Sequence, residues 1–433
     1  MLGFSGRIGA IVTLACLSWS ARARAADPLN TNNRPNEEHS SITSPPDAHD
    51  DDGEAPHTDF NIVPVLGGST DLGFGGGYFA GLVRNQKHYD PFLWNIDSSG
   101  LVTFKYDAEH HVSVPYRDIY VRLTIPRLFG APLRLEIRPS YTFETTNYYG
   151  LGNASSTAAP RNSPPGYFTF ARAHPQLDFD VRGRISDHLA AHTGIRFTYN
   201  DISLPAGSKL GEDERLGSAE VKHLLGAVRS SSVMLLKYGL QWDTRDNEIS
   251  SHSGSFDALD VKLSPGPTDE FPYRYGQATL NLRTFIPLSK PKLTLALRAV
   301  GDVLFGDAPF YELARFDDTF AIGGTNGVRG VPAQRYYGKT KIFGNLEVRA
   351  ELFTFHAFHK PIVFALVPFF DGGRLWADTS SHPELDGHGI GLKYGTGAGV
   401  RLQSGSAFVI RADLAWSPDA TPISGYFSAG QIF

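Results

Sequence analysis

Thiol chemistry has almost no place in this chain of 433 residues, because it contains a single cysteine, Cys16. One cysteine excludes an intrachain disulfide framework and a cysteine-rich metal site. Long apolar runs are scarce too: beyond the first 26 residues, no segment approaches the about 18 apolar residues of a transmembrane helix. The net charge of −5 provides no basic footprint for nucleic acid. Disulfide-stapled, helical-membrane and nucleic-acid-binding classes are therefore excluded.

Residues 1–25 are predicted to be a secretory signal peptide. Arg7 precedes an apolar run at 8–19, and an A-x-A pattern at 23–25 fits a cleavage site. The run is too short to cross a bilayer as a stable helix. Because Cys16 lies inside this segment, the mature chain is expected to have no thiol.

Residues 26–58 are predicted to form a disordered, acidic periplasmic leader. The segment is rich in Asn, Pro, Ser and acidic residues, and such a composition cannot bury enough apolar surface to fold. Residues 59–433 are predicted to be the only folded domain. The about 32 residues between the cleavage site and the first strand are expected to hold no second folded domain.

The folded part is dominated by strands in which apolar and polar residues alternate. Between 341 and 352, one face carries Ile342, Leu346 and Val348, and the other carries Lys341 and Glu347. An exported protein with such strands is expected to turn the apolar face toward lipid and the charged face toward a wet interior. The pattern predicts a transmembrane barrel in the outer membrane of a double-membraned bacterium.

We count sixteen strands and predict an all-β fold, a single 16-stranded antiparallel transmembrane β-barrel. With the amino end in the periplasm, four long connections face outward, at 148–167, 204–232, 306–340 and 377–392. An even number of strands lets an antiparallel sheet close without a free edge. The predicted strands are 60–66, 71–84, 97–106, 112–125, 133–147, 168–182, 189–203, 233–244, 254–264, 273–286, 292–305, 341–353, 362–376, 393–403, 406–416 and 425–433.

The chain resembles the bacterial surface antigen superfamily, which includes BamA/TamA-type assembly insertases and two-partner secretion translocators. The most specific segment is Gly323-Gly324-Thr325-Asn326-Gly327-Val328-Arg329-Gly330 in the sixth outer connection. Supporting segments are Tyr148-Tyr149-Gly150-Leu151-Gly152-Asn153, Trp242-Asp243-Thr244-Arg245-Asp246-Asn247, Phe369-Phe370-Asp371-Gly372-Gly373 and the terminal Phe427-Ser428-Ala429-Gly430-Gln431-Ile432-Phe433. Each segment is a weak signal alone, and together they are specific. The periplasmic polypeptide-transport (POTRA) domains of those relatives are not expected in this chain.

The resemblance implies that the sixth outer loop, 306–340, folds into the lumen and that Arg329 meets Asp371 and Glu347. In this arrangement Gly323, Gly324, Val328 and Gly330 form the loop motif. The residues agree independently, since Glu347 lies on the polar face of its strand and Asp371 ends an apolar run where an unpaired charge is costly. Val331 departs from the family, in which an aromatic residue usually follows the motif.

The resemblance also implies a seam where the first and last strands meet. Gly73, Gly75, Gly76 and Gly77 are predicted to weaken one side of it, because glycine has no side chain for cross-strand packing. A second interpretation is that these glycines relieve crowding where the barrel bends. Phe433 is expected to end the last strand at the seam, as the aromatic residue that outer-membrane barrels carry there.

By resemblance, the function is insertion or translocation of polypeptides at the outer membrane. The charged faces leave two alternatives open: a passive or gated pore for small solutes, and a surface scaffold. Predicted partners are outer-membrane lipids, lipopolysaccharide and client polypeptides. No catalytic constellation or metal-ligand spacing is present in the sequence, so we expect neither an enzyme nor a cofactor. The predicted lumen lining is Arg134, Arg138, Asp178, Asp180, Arg182, Arg298, Arg349, Arg411 and Asp413.

Overall fold

A computed structural model shows sixteen strands closed into one antiparallel barrel, as predicted. It describes residues 56–86, 91–106, 111–289, 292–316, 319–320, 322–357, 360–404 and 408–433. The predicted signal peptide and nearly all of the predicted leader lie outside these residues. Among the described helices, none is both long and apolar enough to cross a membrane.

Sixteen strands form the wall, and each is hydrogen-bonded to the wall strand that follows it along the chain. The short strands β12 (Arg315–Phe316) and β13 (Thr319–Phe320) form a separate two-stranded ribbon. The wall strands are β1 (His57–Ser69), β2 (Gly73–Asn85), β3 (Trp94–Tyr106), β4 (Val112–Ile125), β5 (Leu133–Asn147), β6 (Thr169–Arg184), β7 (Leu189–Ser203), β8 (Ser231–Asp243), β9 (Gly254–Pro265), β10 (Arg274–Ser289), β11 (Leu293–Gly306), β14 (Thr340–Ala357), β15 (Lys360–Trp376), β16 (Lys393–Ser404), β17 (Phe408–Ser417) and β18 (Ala420–Ala429).

The period-2 alternation of the sequence corresponds to the two faces of the wall. On β14 and β15, Leu346 and Phe370 point outward and are 41% and 46% exposed, whereas their neighbours Glu347 and Asp371 are fully buried inside. A soluble sheet would bury the apolar face, so this inverted arrangement fits a wall surrounded by lipid. The charged side chains then face the interior.

The wall is weakest where it closes. β1 pairs with β2 along its whole length, from His57↔Asn85 to Ser69↔Gly73. Within the described residues it pairs with β18 at only two positions, Gly68↔Phe427 and Ser69↔Tyr426. We call this short β1–β18 junction the seam.

The four longest connections leave the barrel at one end and pack on one another there. Two helices, α1 (Lys209–Leu216) and α2 (Ala219–Leu225), lie in the connection after β7, and α3 (Pro383–Asp386) lies in the connection after β15. Ser208 and Ser218 cap α1 and α2 by accepting backbone N–H groups. We call the apolar core shared by these connections the cap cluster; it includes Tyr148, Leu210, Leu225, Phe310, Tyr311, Leu313 and Tyr337.

Candidate functional site

Arg329 lies at the centre of a fully buried ion cluster inside the wall. Its Nε and Nη2 donate to the two carboxylate oxygens of Asp371 at 2.8 and 3.0 Å, and its backbone N–H donates to the same carboxylate at 3.1 Å. Its Nη1 donates to Glu347 at 2.8 Å and to Asp413 at 3.2 Å. The guanidinium carbon also lies 3.4 Å from the ring centroid of Phe369. One arginine of a loop therefore holds side chains from β14, β15 and β17 together.

The cluster contains more charges than the sequence led us to place there. Arg401 reaches Asp413 at 2.5 Å and Glu347 at 3.4 Å, Arg349 reaches Glu347 at 2.9 Å, and Arg411 lies 3.7 Å from Asp413. Arg349, Arg411 and Asp413 were assigned to the lumen wall in general, and Arg401 was missed. The alternation of apolar and polar residues could have identified Arg401 as an interior residue, because it occupies a polar-face position of its strand. Burial alone would lower the pKa of Arg329, but Asp371, Glu347 and Asp413 raise it above its ordinary value, so the guanidinium stays charged.

The loop motif gives the chain the shape that presents Arg329. Gly323 and Gly330 have φ angles of 110° and 93°, a region that favours glycine. Space is also short: a Cβ at Gly323 would lie 2.0 Å from the carbonyl oxygen of Pro332. Val328 and Val331 are fully buried in an apolar cluster with Phe316, Ile322, Tyr336, Phe343 and Leu375. The valine at 331 thus anchors the loop by aliphatic packing, without the aromatic residue usual in the family.

A second polar contact holds the same loop to the opposite wall. Glu144 on β5 is buried and accepts hydrogen bonds from Arg315 at 2.6 Å and Gln334 at 3.0 Å, both in the connection between β11 and β14. Arg172 on β6 lies 3.5 Å from the same carboxylate. Sequence reasoning missed this contact, because partners 171 and 190 residues apart leave no local pattern.

The loop also contacts both sides of the seam. On the β18 side, the N–H of Gly330 donates to the Tyr426 hydroxyl at 2.8 Å. On the other side, the backbone N–H of Ala333 donates to the carboxylate of Asp71, which lies in the turn between β1 and β2. The turn meets β18 directly as well, since the Thr70 N–H donates to the Gly425 carbonyl at 3.1 Å. Residues 330–333 therefore connect β18 with the turn that follows β1.

Two expectations about the seam need correction. Phe433 does not end a strand at the seam: β18 ends at Ala429, and Gly430 adopts a φ of 85° that turns the chain. Ile432 and Phe433 lie inside the barrel against Phe285, and their main-chain oxygens accept hydrogen bonds from Arg298 and Arg349 at 3.1 and 3.0 Å. Burying these apolar side chains and pairing their main-chain oxygens favours this position over continued strand pairing.

The four glycines lie on β2, one strand away from the β1–β18 seam. All four pair with β1, and Gly75, Gly76 and Gly77 also pair with β3. At Gly75 and Gly77 a Cβ would come within 1.8 Å of the carbonyl oxygens of Val102 and Gly100 on β3. Gly76 has room for a Cβ. The geometry at Gly75 and Gly77 favours the relief of crowding in the second interpretation, because the β3 backbone comes too close there for any side chain.

A closed sixteen-stranded barrel with an apolar outer face, and a loop arginine buried among inward-facing carboxylates, defines a transmembrane β-barrel of the outer-membrane type. The family model described as the Omp85 superfamily domain matches residues 105–433. The chain therefore belongs to the Omp85 superfamily of outer-membrane barrels, which confirms the predicted resemblance. Barrels of this superfamily are transporters and insertases without enzymatic activity.

Two solved structures show the same fold at low sequence identity. The crystal structure of BamA from Haemophilus ducreyi lacking POTRA domains 1–3 matches with a TM-score of 0.57 and 13% identity, over 86% of this chain and 70% of that one. CdiB from Escherichia coli matches with a TM-score of 0.54 and 12% identity, over 87% of this chain and 68% of that one. No individual curated protein sequence matches the chain.

Proposed function

We propose that this barrel takes part in inserting or translocating polypeptides at the outer membrane, with the seam as the place where the wall opens. The observation that carries the proposal is the contrast between the two neighbours of β1. Among the described residues, β1 is paired with β2 at 13 positions but with β18 at only two. The edge of β1 from His57 to Gly67 thus offers backbone N–H and C=O groups that an incoming strand can pair with.

The turn at Gly430 supports the same proposal. Because Ile432 and Phe433 fold into the interior, they leave the β1 edge without strand pairing along most of its length. A client strand can then pair with β1 without first displacing a complete ladder of hydrogen bonds. The role of the Arg329 cluster in this scheme is to hold the loop, and through Gly330 and Ala333 to steady the two sides of the seam.

The cap cluster argues against a steady pore for small solutes. Four connections share this apolar core at one end of the barrel, and the loop carrying Arg329 is tied to opposite walls through Asp371 and Glu144. A solute moving along the barrel axis would have to pass both the cap cluster and the loop. A client that pairs with the β1 edge between His57 and Gly67 approaches from the side and passes through neither.

A disulfide across the seam tests the proposal. Thr70 and Gly425 are adjacent across the seam, since the Thr70 N–H donates to the Gly425 carbonyl at 3.1 Å. A Cβ at Gly425 would lie 4.0 Å from Cγ2 of Thr70, which occupies one of the positions that the sulfur of a cysteine can take. The double variant Thr70→Cys/Gly425→Cys, in liposomes, is mixed with an eight-stranded outer-membrane barrel unfolded in urea. We expect wild type and the reduced variant to accelerate folding of this client, and the oxidised variant to lose the acceleration.

The matched control is Leu240→Cys/Leu259→Cys, which joins two outward-facing residues paired between β8 and β9, away from the seam. Oxidation of this pair should leave client folding unchanged. The proposal fails if wild type gives no acceleration, or if oxidising the seam pair has no more effect than oxidising the control pair.

A further inference from the structure

An apolar groove runs along the outer surface of the wall, outside the loop and seam already described. It has a volume of 820 Å³, within the about 300–1,000 Å³ typical of ligand pockets, and its lining is predominantly apolar. Its floor is formed by β10, β11, β14 and β15, and Ile390 and Leu392 from the connection after β15 border it.

The strand register explains why the groove exists. Ala299, Gly344 and Gly372 stand side by side on three neighbouring strands, so the row across the wall has almost no side-chain bulk. The next row contains Gly301, where a Cβ would meet nothing closer than Ile342 at 4.0 Å. Larger outward-facing side chains, including Leu280 and Leu282, border the rows. The outer surface is therefore indented where a lipid-facing wall is usually covered by large apolar residues.

One positive charge lies among these apolar residues. Arg374 lines the groove near the end of β15, and its Nη1 donates to the carbonyl of Gly389 at 2.5 Å and also to that of Ile390. Its Nε is buried and has no hydrogen-bond partner among the described residues. Trp376, two residues further along β15, also lines the groove and lies under the Arg374 guanidinium.

The position along the wall assigns the groove to the outer leaflet. Arg374 and Trp376 lie where β15 ends and the connection 377–392 begins, at the end of the barrel from which all four long connections leave. In outer-membrane barrels the long loops face outward, and aromatic residues mark the membrane interface. Headgroups of outer-leaflet lipids lie at this level.

We propose that the groove binds one outer-leaflet lipid that carries phosphate, with an acyl chain along Gly301, Gly344 and Gly372 and the phosphate at Arg374. The floor strands are paired on both sides, so they offer no free backbone groups to a polypeptide strand. An acyl chain needs no hydrogen bonds and gains from filling an apolar groove. A phosphate group supplies the negative charge that can pair with the Arg374 guanidinium. This proposal is independent of the proposed function.

The test is native mass spectrometry of the full, detergent-solubilised barrel titrated with lipid A, a bis-phosphorylated acylated disaccharide. Diacylglycerol with chains of the same length serves as the phosphate-free probe. Wild type should retain one lipid A. Gly301→Phe fills the groove and should reduce lipid A binding by about ten-fold or more, as expected when about 1.4 kcal/mol or more is lost. Arg374→Gln should weaken lipid A by about ten-fold and leave diacylglycerol unchanged, because only a charge-assisted contact is removed.

Ala80→Phe is the control, because it adds the same ring to the outer face of β2, paired with Ile62 on β1. All variants are first checked for the heat-modifiable gel migration of a folded barrel. The proposal is overturned if wild type retains no lipid A, or if Ala80→Phe weakens binding as much as Gly301→Phe does. It is also overturned if Arg374→Gln affects lipid A and diacylglycerol equally.

Discussion

At the scale of single residues, Arg329 is the most demanding position in the barrel. A buried arginine is tolerated only when its charge is paired and its donors are satisfied. Here the Asp371 carboxylate accepts two hydrogen bonds from the Arg329 guanidinium and a third from the Arg329 backbone N–H. Glu347 and Asp413 have other arginines nearby, but Arg329 is the one cation in salt-bridge contact with Asp371 among the described residues.

Replacing Arg329 by alanine should therefore destabilise the barrel by roughly 3–5 kcal/mol, because Asp371 is left buried without a counter-charge. Arg329→Lys should have a stability between those of wild type and Arg329→Ala, since an ammonium group keeps the charge but cannot reproduce the bidentate contact. The measurement is the temperature at which gel migration changes from folded to unfolded. Arg161→Ala, at an exposed loop arginine, is the control. Equal melting temperatures for Arg329→Ala and this control would contradict the prediction.

Asp71 gives the loop contact at the seam a dependence on pH. Burial raises the pKa of this carboxyl from 3.8 to about 6, although the Ala333 N–H and Lys105 act in the opposite direction. An acid with a raised pKa in the folded state favours folding when it is protonated. Its favourable contribution is complete below 3.8 and is lost as pH rises through about 6.

Asp71→Asn should consequently stabilise the protein relative to wild type at pH 7.5 and give a smaller gain at pH 4.5. The asparagine oxygen can still accept the Ala333 N–H, while the penalty for a buried charge disappears. Melting temperatures of both proteins at the two pH values measure the effect, and other acidic groups cancel because they titrate in both proteins. A gain that is the same at both pH values would refute the assignment.

At the scale of elements, the wall was predictable because its signal is local. Each strand separates two environments, lipid and interior, so residues two apart report the same face, as Leu346 and Val348 do. The ends of elements were less predictable. Phe433 belongs to no strand because its ring packs on Phe285 and its main-chain oxygen accepts a hydrogen bond from Arg349. These partners lie 148 and 84 residues away along the chain, so no local pattern indicates them.

The candidate site was predictable to the same extent. The pair Arg329–Asp371 could be proposed from a motif, because both residues stand in segments that resemble the family. Asp413 and Arg401 could not be placed in the same cluster, since their contacts depend on how β16 and β17 are positioned when the barrel closes. The spacing of residues along the sequence does not show which side chains of different strands meet inside the closed barrel.

The glycines of β2 provide a test at this scale. A Cβ at Gly75 or Gly77 would overlap a β3 carbonyl oxygen at 1.8 Å, whereas a Cβ at Gly76 would lie 3.4 Å from the flexible Leu66 side chain. Gly75→Ala and Gly77→Ala should each cost roughly 1–3 kcal/mol through overpacking, and Gly76→Ala should be tolerated. Gel-shift melting curves of the three variants measure this. If all three variants behaved alike, the glycines would have no position-specific role in β2–β3 packing.

At the scale of the whole molecule, the barrel combines a closed interior with an incomplete wall. The loop between β11 and β14 is tied to β15 through Arg329 and to β5 through Glu144, so it spans the interior from wall to wall. The cap cluster covers the end where the long connections meet. Access to the protein is thus expected from the side.

This arrangement predicts how the barrel conducts ions in planar bilayers. Wild type should show little steady conductance, because both the loop and the cap cluster obstruct the axis. Arg329→Ala frees one attachment of the loop, and Glu144→Ala frees the other, so each single variant should raise conductance modestly. The double variant should raise it by more than the sum of the two, since either attachment alone can hold the loop across the interior.

Asp180→Ala is the control, because it changes an interior charge on β6 that pairs with Lys237 on β8 rather than with the loop. The same preparations are assayed for folding of the urea-denatured client, which separates the two functions. Conductance and client folding should change independently if solutes follow the axis and clients use the seam. A large steady conductance in wild type, together with no acceleration of client folding, would instead identify the barrel as a pore whose loop only narrows the channel.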